Sequence, residues 1–448
     1  MDTQMKRGKF WDHRLETMPM EELAEKIEKP LLNRQLAFVF KHSPFYQKKL
    51  REAGIDSLKD VQAATLEDIP YTDKAEIIQD QQESPPFGNL LAAPWERVIR
   101  IHRTSGYSGK PVLIALTKKD ADETAEAGAR MFWCAGVRPG DTVIHCLNFC
   151  LWIGGLTDHL SLEHTGATVV PYGVGNSKRL LELILYLRPT GISCTPSYLS
   201  RLEPILKEEF GLLPRDLGLE KGIFGGEAGL QNPEFRAVLE EKWGIRAIDA
   251  NFGVSDVLSA FGSECEYRQG LHFHGQGIIA AELVDPQSGK PMEIREGQMG
   301  EFVYTNLKRE AQPLVRFRSR DIARIVQIGR CQCGRTSFCF RILGRCDDML
   351  VVKGINIFPD AIGILLAKFT LWLTTEFEIH LDEPPPFTCL QIFAETKAGF
   401  PQEKKVEIQE AVQREIKQKL ECAALINLVP FGHFPPEEGK ARRIKRNY

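Results

Sequence analysis

The chain has 448 residues, a formal net charge of −3 and 26% charged side chains. That length exceeds what one hydrophobic core organises, so a large domain with a smaller companion is expected. The near-neutral charge gives no basis for nucleic acid or membrane as a partner, and no apolar run approaches the roughly 20 residues that span a bilayer. The opening stretch MDTQMKRGKFWDHRLE has no apolar centre of a secretory signal, so a cytoplasmic location is the expectation.

In chain order, Met20 to Arg51 has apolar residues at helical spacing, and Gly54 reads as its stop. From Val98 onward short apolar runs alternate with helical stretches. The runs are Thr142–Leu147, Thr168–Pro171, Thr190–Cys194 and Lys221–Phe224, with helices expected around Asp120–Trp133, Lys178–Leu187 and Pro233–Trp243. That alternation predicts an α/β sheet with crossover helices. Beyond Gln276 strands and turns take over, which predicts a β-rich subdomain ending near Leu343. The stretch GRCDDMLVVKGINIFP (344–359) follows, a turn, a strand-like Met349–Val352 and a second turn at Lys353-Gly354. After it come a helix at Pro359–Lys368, strands at Glu376–Leu381 and Thr388–Glu395, a long helix at Glu403–Leu420 and a basic tail.

Several segments carry chemistry. Thr104-Ser105-Gly106-Tyr107-Ser108-Gly109-Lys110-Pro111 follows the strand-like Val98–His102. Its glycines let backbone N–H groups approach phosphate oxygens, its hydroxyls add donors, and Lys110 supplies charge. It lacks the first glycine of a Walker A loop, and by composition alone it is a polar turn. Gly225-Gly226-Glu227 follows a strand-like run and taken alone is a turn, and Asn251-Phe252-Gly253-Val254-Ser255-Asp256 lies further along. Gly300-Glu301-Phe302 precedes Arg316-Phe317-Arg318-Ser319-Arg320-Asp321, in which Arg318 is expected to be solvated. Gly439-Lys440-Ala441-Arg442-Arg443 taken alone is a basic tail.

These segments in this order resemble the adenylate-forming ligases, in the phenylacetate–CoA ligase version. The resemblance covers nearly the whole chain and implies a large α/β N-terminal domain with a β-rich subdomain (1–344), a hinge (345–348) and a small mobile α+β domain (349–448). It implies that ATP and an acid give an acyl-adenylate, which coenzyme A then converts to a thioester. Thr104, Ser105, Gly106, Ser108, Gly109 and Lys110 resemble the phosphate loop, with Tyr107 where a small residue is usual. Gly225, Gly226 and Glu227 resemble the turn against adenine. Asn251, Phe252, Gly253 and Ser255 resemble the nucleotide motif, with Phe252 for tyrosine, and Asp256 replaces its glutamate as a Mg²⁺ ligand, directly or through water. Asp321 is the implied ribose contact and Arg345 a second contact, to ribose or phosphate, with Asp347 the pivot, Lys353 and Gly354 the coenzyme A contact, and Lys440 the catalytic lysine. Phe149 and Trp152 of LNFCLWIGG, with Pro196 and Ser197 of TPSY, resemble the acid pocket, although the two aromatics read equally as core. The segment has fewer glycines and tyrosines than phenylacetate ligases, so another aryl or arylacetic acid fits as well.

The 11 cysteines lack the spacing of a secreted framework, so free thiols are expected and any cluster is read as metal-binding. Cys331 and Cys333 sit on one tight turn, and Cys265 precedes His272 and His274. Cys265, His272, Cys331 and Cys333 would make a closed Cys₃His structural zinc site. His159 and His164 read as helix-surface or core residues, and Gly173–Lys178 lacks the third glycine of a dinucleotide site. Transfer of the acyl group to a carrier protein or amine, and a non-catalytic nucleotide-binding zinc protein, stand as alternatives. A homodimer is compatible with the sequence.

Overall fold

The computed structural model describes residues 8–104, 111–353, 355–434 and 443–448. The chain forms two compact units, Met1–Gly173 with Ala250–Arg341, and Val174–Asp249 with Ile342–Tyr448. Among the described residues no helix is long and apolar enough to cross a membrane.

In the first unit the expected Met20–Arg51 helix is broken. A π-helical turn occupies Ala24–Glu28, Lys29–His42 continues it, and a new helix starts at Pro44–Glu52. The break lies at Ser43, whose side chain accepts from the Tyr46 N–H while Pro44 takes the first helical position, where its missing N–H costs nothing. The helix Lys118–Cys134 begins with a capping box in which Thr117 and Asp120 satisfy each other's N–H groups. It lies against the helix Ile153–His164 at Gly128, where a Cβ would stand 2.2 Å from Ser161 Oγ. Ile153–His164 is the crossover between the parallel strands Thr142–His145 and Thr168–Pro171.

An eight-stranded sheet completes this unit, in the order 291–292, 279–284, 299–306, 317–327, 339–345, 271–273, 258–263, 252–254. Its strands therefore begin at Phe252, upstream of the expected Gln276. Every residue of Leu258–Ser263 and Leu271–Phe273 is buried, so no apolar–polar alternation marks them.

The second unit contains the parallel strands Gly191–Cys194, Lys221–Phe224 and Arg246–Asp249. Their crossovers are the helices Pro196–Phe210 and Pro233–Trp243. The latter is capped by Asn232, which accepts from the N–H groups of Glu234 and Phe235, and stopped by Gly244 at φ 66°. A four-stranded sheet follows in the order 424–429, 390–396, 373–381, 444–446. The helix Lys405–Leu420 covers it with Ile408, Val412 and Ile416, spaced four apart on one buried face. Each such side chain contributes about 1.5–3 kcal/mol on burial. The tail expected as merely basic ends as the strand Ile444–Arg446, paired in parallel with Ile379–Leu381.

Candidate active site

In the first unit the nucleotide-motif residues and the acid segment share one scaffold. Asn251 adopts φ 74°, a left-handed conformation asparagine tolerates, and its Nδ2 donates to Asp158 Oδ2 at 2.5 Å. Ser259 Oγ donates to Thr157 Oγ1 at 2.8 Å. Both bonds fix the short hairpin 252–263 to the helix that follows the acid segment. Gly253 is required there, because a Cβ would lie 1.9 Å from the Ser259 carbonyl oxygen. Phe252 packs edge-on against Phe261 and Phe340, with centroids 5.4 and 5.3 Å away, and remains half-buried. Asp256 Oδ2 accepts from Lys74 Nζ at 3.0 Å, while its buried Oδ1 has no hydrogen-bond partner among the described residues. Ser255 is partly exposed beside it.

The acid segment is a tight loop: a Cβ on Gly155 would stand 1.9 Å from the Asn148 carbonyl oxygen. His145 Nε2 is 2.9 Å from the Gly155 carbonyl oxygen, and burial brings His145 down to about 4, so the ring is neutral. Phe149 is half-buried and meets the rings of His145 and His159 edge-on at 5.6 and 5.9 Å. Trp152 is half-buried over Gly154. The Arg103 N–H donates to the Leu151 carbonyl at 2.9 Å, so the strand leading into the expected phosphate loop lies beside this segment. Thr104 is buried and exchanges two hydrogen bonds with the Val112 backbone at 2.9 and 3.0 Å. Ser105, Gly106, Ser108, Gly109 and Lys110 lie outside the described residues.

Asp321 is buried on the strand Phe317–Gln327, its N–H donating to Ser319 Oγ at 3.1 Å. The neighbouring arginines are paired. Arg316 holds Glu282 at 2.8 Å, Arg320 holds Asp73, and Arg318 holds Glu301, whose side chain is fully buried. Arg318 is thus not the solvated residue the charge run suggested. The pleat of an antiparallel pair puts it next to Glu301 of Met299–Asn306, a partner 17 positions away.

In the second unit Gly225 and Gly226 follow the strand Lys221–Phe224, and Gly226 takes φ 80° to turn the chain. The Glu227 carboxylate accepts from the Ser197 N–H at 3.2 Å and from its hydroxyl at 2.6 Å, at the start of the helix Pro196–Phe210. Burial raises the Glu227 pKa, against the lowering effect of Ser197 and of Arg443. Two motifs read separately in the sequence, the GGE turn and TPSY, are thereby one constellation. Arg345 clasps Asp347 with two bonds of 3.0 and 2.9 Å. The strands Leu350–Val352 and Ile355–Ile357 pair as a hairpin, with the exposed Lys353 at φ 50° in its turn. Gly354 and Lys440 lie outside the described residues.

A separate cluster is fully formed. Cys265, His272, Cys331 and Cys333 are buried, with ligand atoms all within 4.8 Å of one another. The turn is closed by the Gly334 N–H to Cys331 carbonyl bond at 2.8 Å, with Gly334 at φ 92°. The hydrogen bond from Cys265, and secondarily His272, lowers the Cys333 thiol. Arg335 bonds both Cys333 Sγ, at 3.7 Å, and Glu16, at 2.7 Å.

The AMP-binding enzyme C-terminal domain family matches residues 354–447. Phenylacetate–coenzyme A ligase of Thermus thermophilus is 34% identical over 96% of this chain and 98% of its own length. The chain belongs to the phenylacetate–CoA ligase family. Among solved structures, 2-hydroxyisobutyryl-CoA ligase in the postadenylation state is 28% identical, with a TM-score of 0.86 over 98% of this chain and 92% of that one. The same ligase with 2-HIB-AMP and CoA in the thioesterification state has a TM-score of 0.70 over 98% and 92%, at 29% identity.

Within this phenylacetate–CoA ligase family member, reading the sequence missed Asp158, which holds Asn251, and Lys74, which pairs with Asp256. Each sits inside a helix or strand with no motif around it. Cys339 was also missed, although its Sγ lies 3.4 Å from His272 Nδ1. The four-residue cluster had a spacing signal and Cys339 had none.

Proposed function

We propose that the protein is an ATP-dependent, AMP-forming ligase that joins an aryl or arylacetic acid to coenzyme A through an acyl-adenylate. The observation that carries this reading is identity at 34% over 96% of the chain to a phenylacetate–coenzyme A ligase. The solved relative holding an acyl-AMP together with CoA supports both half-reactions. In the first, a carboxylate oxygen attacks the α-phosphate of ATP and pyrophosphate leaves. In the second, the CoA thiol attacks the acyl carbon and AMP leaves.

Two anions meet in the first step, so cations must offset their repulsion. Lys440 is assigned to the α-phosphate, and Lys110 with the N–H groups of Ser105 to Gly109 to the departing pyrophosphate. Phe252 and the Gly225–Glu227 turn are each assigned to the adenine, and Asp321 to the ribose hydroxyls. The free Oδ1 of Asp256 fits a magnesium ligand, and that ion when bound supplies charge neutralisation at the phosphates. Phe149, Trp152, Pro196 and Ser197 are the residues assigned to the acid. The neutral His145 behind Phe149 suits an uncharged aromatic group. Residues 1–344 and 349–448 act as two domains about a hinge at 345–348, pivoting at Asp347, with Lys353 and Gly354 meeting coenzyme A.

Three thiols and one imidazole, buried and converging, fit a closed tetrahedral zinc site with a structural role. The deciding experiment is a panel of acids (benzoate, phenylacetate, indole-3-acetate, 2-hydroxyisobutyrate) assayed for AMP formation with and without coenzyme A. Coenzyme A-dependent AMP formation with an aromatic acid is the expected result. Activity only with 2-hydroxyisobutyrate would refute the aromatic assignment, and AMP formation indifferent to coenzyme A would refute the acceptor.

A further inference from the structure

Arg443 is the second arginine of the GKARR tail, three residues beyond Lys440. Its Nη1 donates to Glu376 Oε2 at 2.9 Å and to the Phe377 carbonyl at 3.2 Å, and its guanidinium stands 4.7 Å from the Phe377 ring centroid. The other oxygen of Glu376, Oε1, accepts from Arg201 Nη2 at 3.1 Å. Arg201 lies one turn beyond Ser197 on the helix Pro196–Phe210, so both face the same way. Glu376 is thus a carboxylate shared by two arginines from opposite ends of the second unit. One comes from the helix carrying a residue assigned to the acid pocket, the other from the segment carrying the catalytic lysine.

We propose that Arg201 and Glu376 are positioning residues for adenylation, seating the lysine-bearing tail, through Arg443, on the helix Pro196–Phe210. This rests on the ligase reading above and deepens it. The tail does not need Arg201 for its own folding. The Ile379 N–H bonds the Arg443 carbonyl at 2.7 Å, and the strand Ile444–Arg446 is paired with Ile379–Leu381 independently. The Arg201 arm is therefore available for a different task. Its side chain is 42% exposed, while Glu376 and Arg443 are each 15% exposed. A half-solvated ion pair forms and breaks at small cost, which suits a contact made in one half-reaction and released in the other. Lys440 serves only the first half-reaction, so loss of the seat must slow that half alone.

The test uses full-length Arg201→Gln, Arg201→Lys and Glu376→Gln proteins in two assays: acid-dependent ATP–pyrophosphate exchange, and thioester formation from supplied acyl-AMP and coenzyme A. Arg201→Gln is expected to lower exchange about fivefold with thioester formation undiminished, and Arg201→Lys to restore exchange. Combined with Glu376→Gln, it should add less than its separate effect, because the two act through one contact. Hydrogen exchange of residues 444–446 should stay at the wild-type level in Arg201→Gln. Equal loss in both assays, unchanged exchange, or full additivity would overturn the proposal. Wild-type protein without any exchange activity would instead remove the ligase reading on which it stands.

Discussion

Ser197 meets Glu227 with both of its donors, the backbone N–H at 3.2 Å and the hydroxyl at 2.6 Å. A carboxylate raised by burial is thereby kept closer to its ordinary range by a helix N-terminus and its first hydroxyl. A raised folded-state carboxyl favours folding at pH below its unfolded value and loses that advantage as pH rises through the folded one.

Removing the hydroxyl raises Glu227 further. Ser197→Ala should therefore destabilise the protein by about 1–2 kcal/mol at pH 7, and by less at pH 4, where both states are largely protonated. Urea unfolding at the two pH values measures this. Equal losses at both would show that Glu227 does not titrate between them.

The thiol–imidazole cluster should hold about one zinc ion per chain, and Cys333→Ser should lose it. Loss of a closed metal site removes folding free energy, so the thermal midpoint should fall by several degrees, as should that of the chelated wild type. Elemental analysis with a thermal scan decides. Wild type without zinc, or a metal-free protein with an unchanged midpoint, contradicts the assignment.

Asp347→Pro restricts φ at the proposed pivot. It should spare ATP–pyrophosphate exchange and block thioester formation, while Lys440→Ala should do the reverse. If each variant loses both half-reactions equally, the hinge does not alternate between two states.

Asp256→Asn removes a full negative charge beside Lys74. The Mg²⁺ concentration giving half-maximal exchange should rise about tenfold, with the Km for the acid little changed. A change confined to the acid Km would place Asp256 with the acid instead.

Much of this architecture is legible without coordinates, for reasons specific to each element. Pro233–Trp243 carries its start in Asn232-Pro233 and its stop in Gly244, so both boundaries are written locally. Thr168–Pro171 and Lys221–Phe224 are short apolar runs between turn residues, and the paired strands have those bounds. Leu258–Ser263 escapes because full burial erases its periodicity. Among the candidate site residues, those that reading nominates are the ones marked by glycine, hydroxyl or cysteine spacing. Their supports carry no such mark: Asp158 reaches Asn251 across 93 positions and Glu376 reaches Arg201 across 175. Only the folded chain states those pairings.

The buried Glu16–Arg335 pair spans 319 positions and joins the first described helix to the cysteine turn. During synthesis at about 5–20 residues per second, Glu16 waits roughly 15 to 60 s for its partner. Until then its carboxylate must stay in water, because burial without Arg335 would leave an uncompensated charge. The edge of the first unit that carries Glu16 is therefore among the last parts of that unit to close, although it is made well before Arg335.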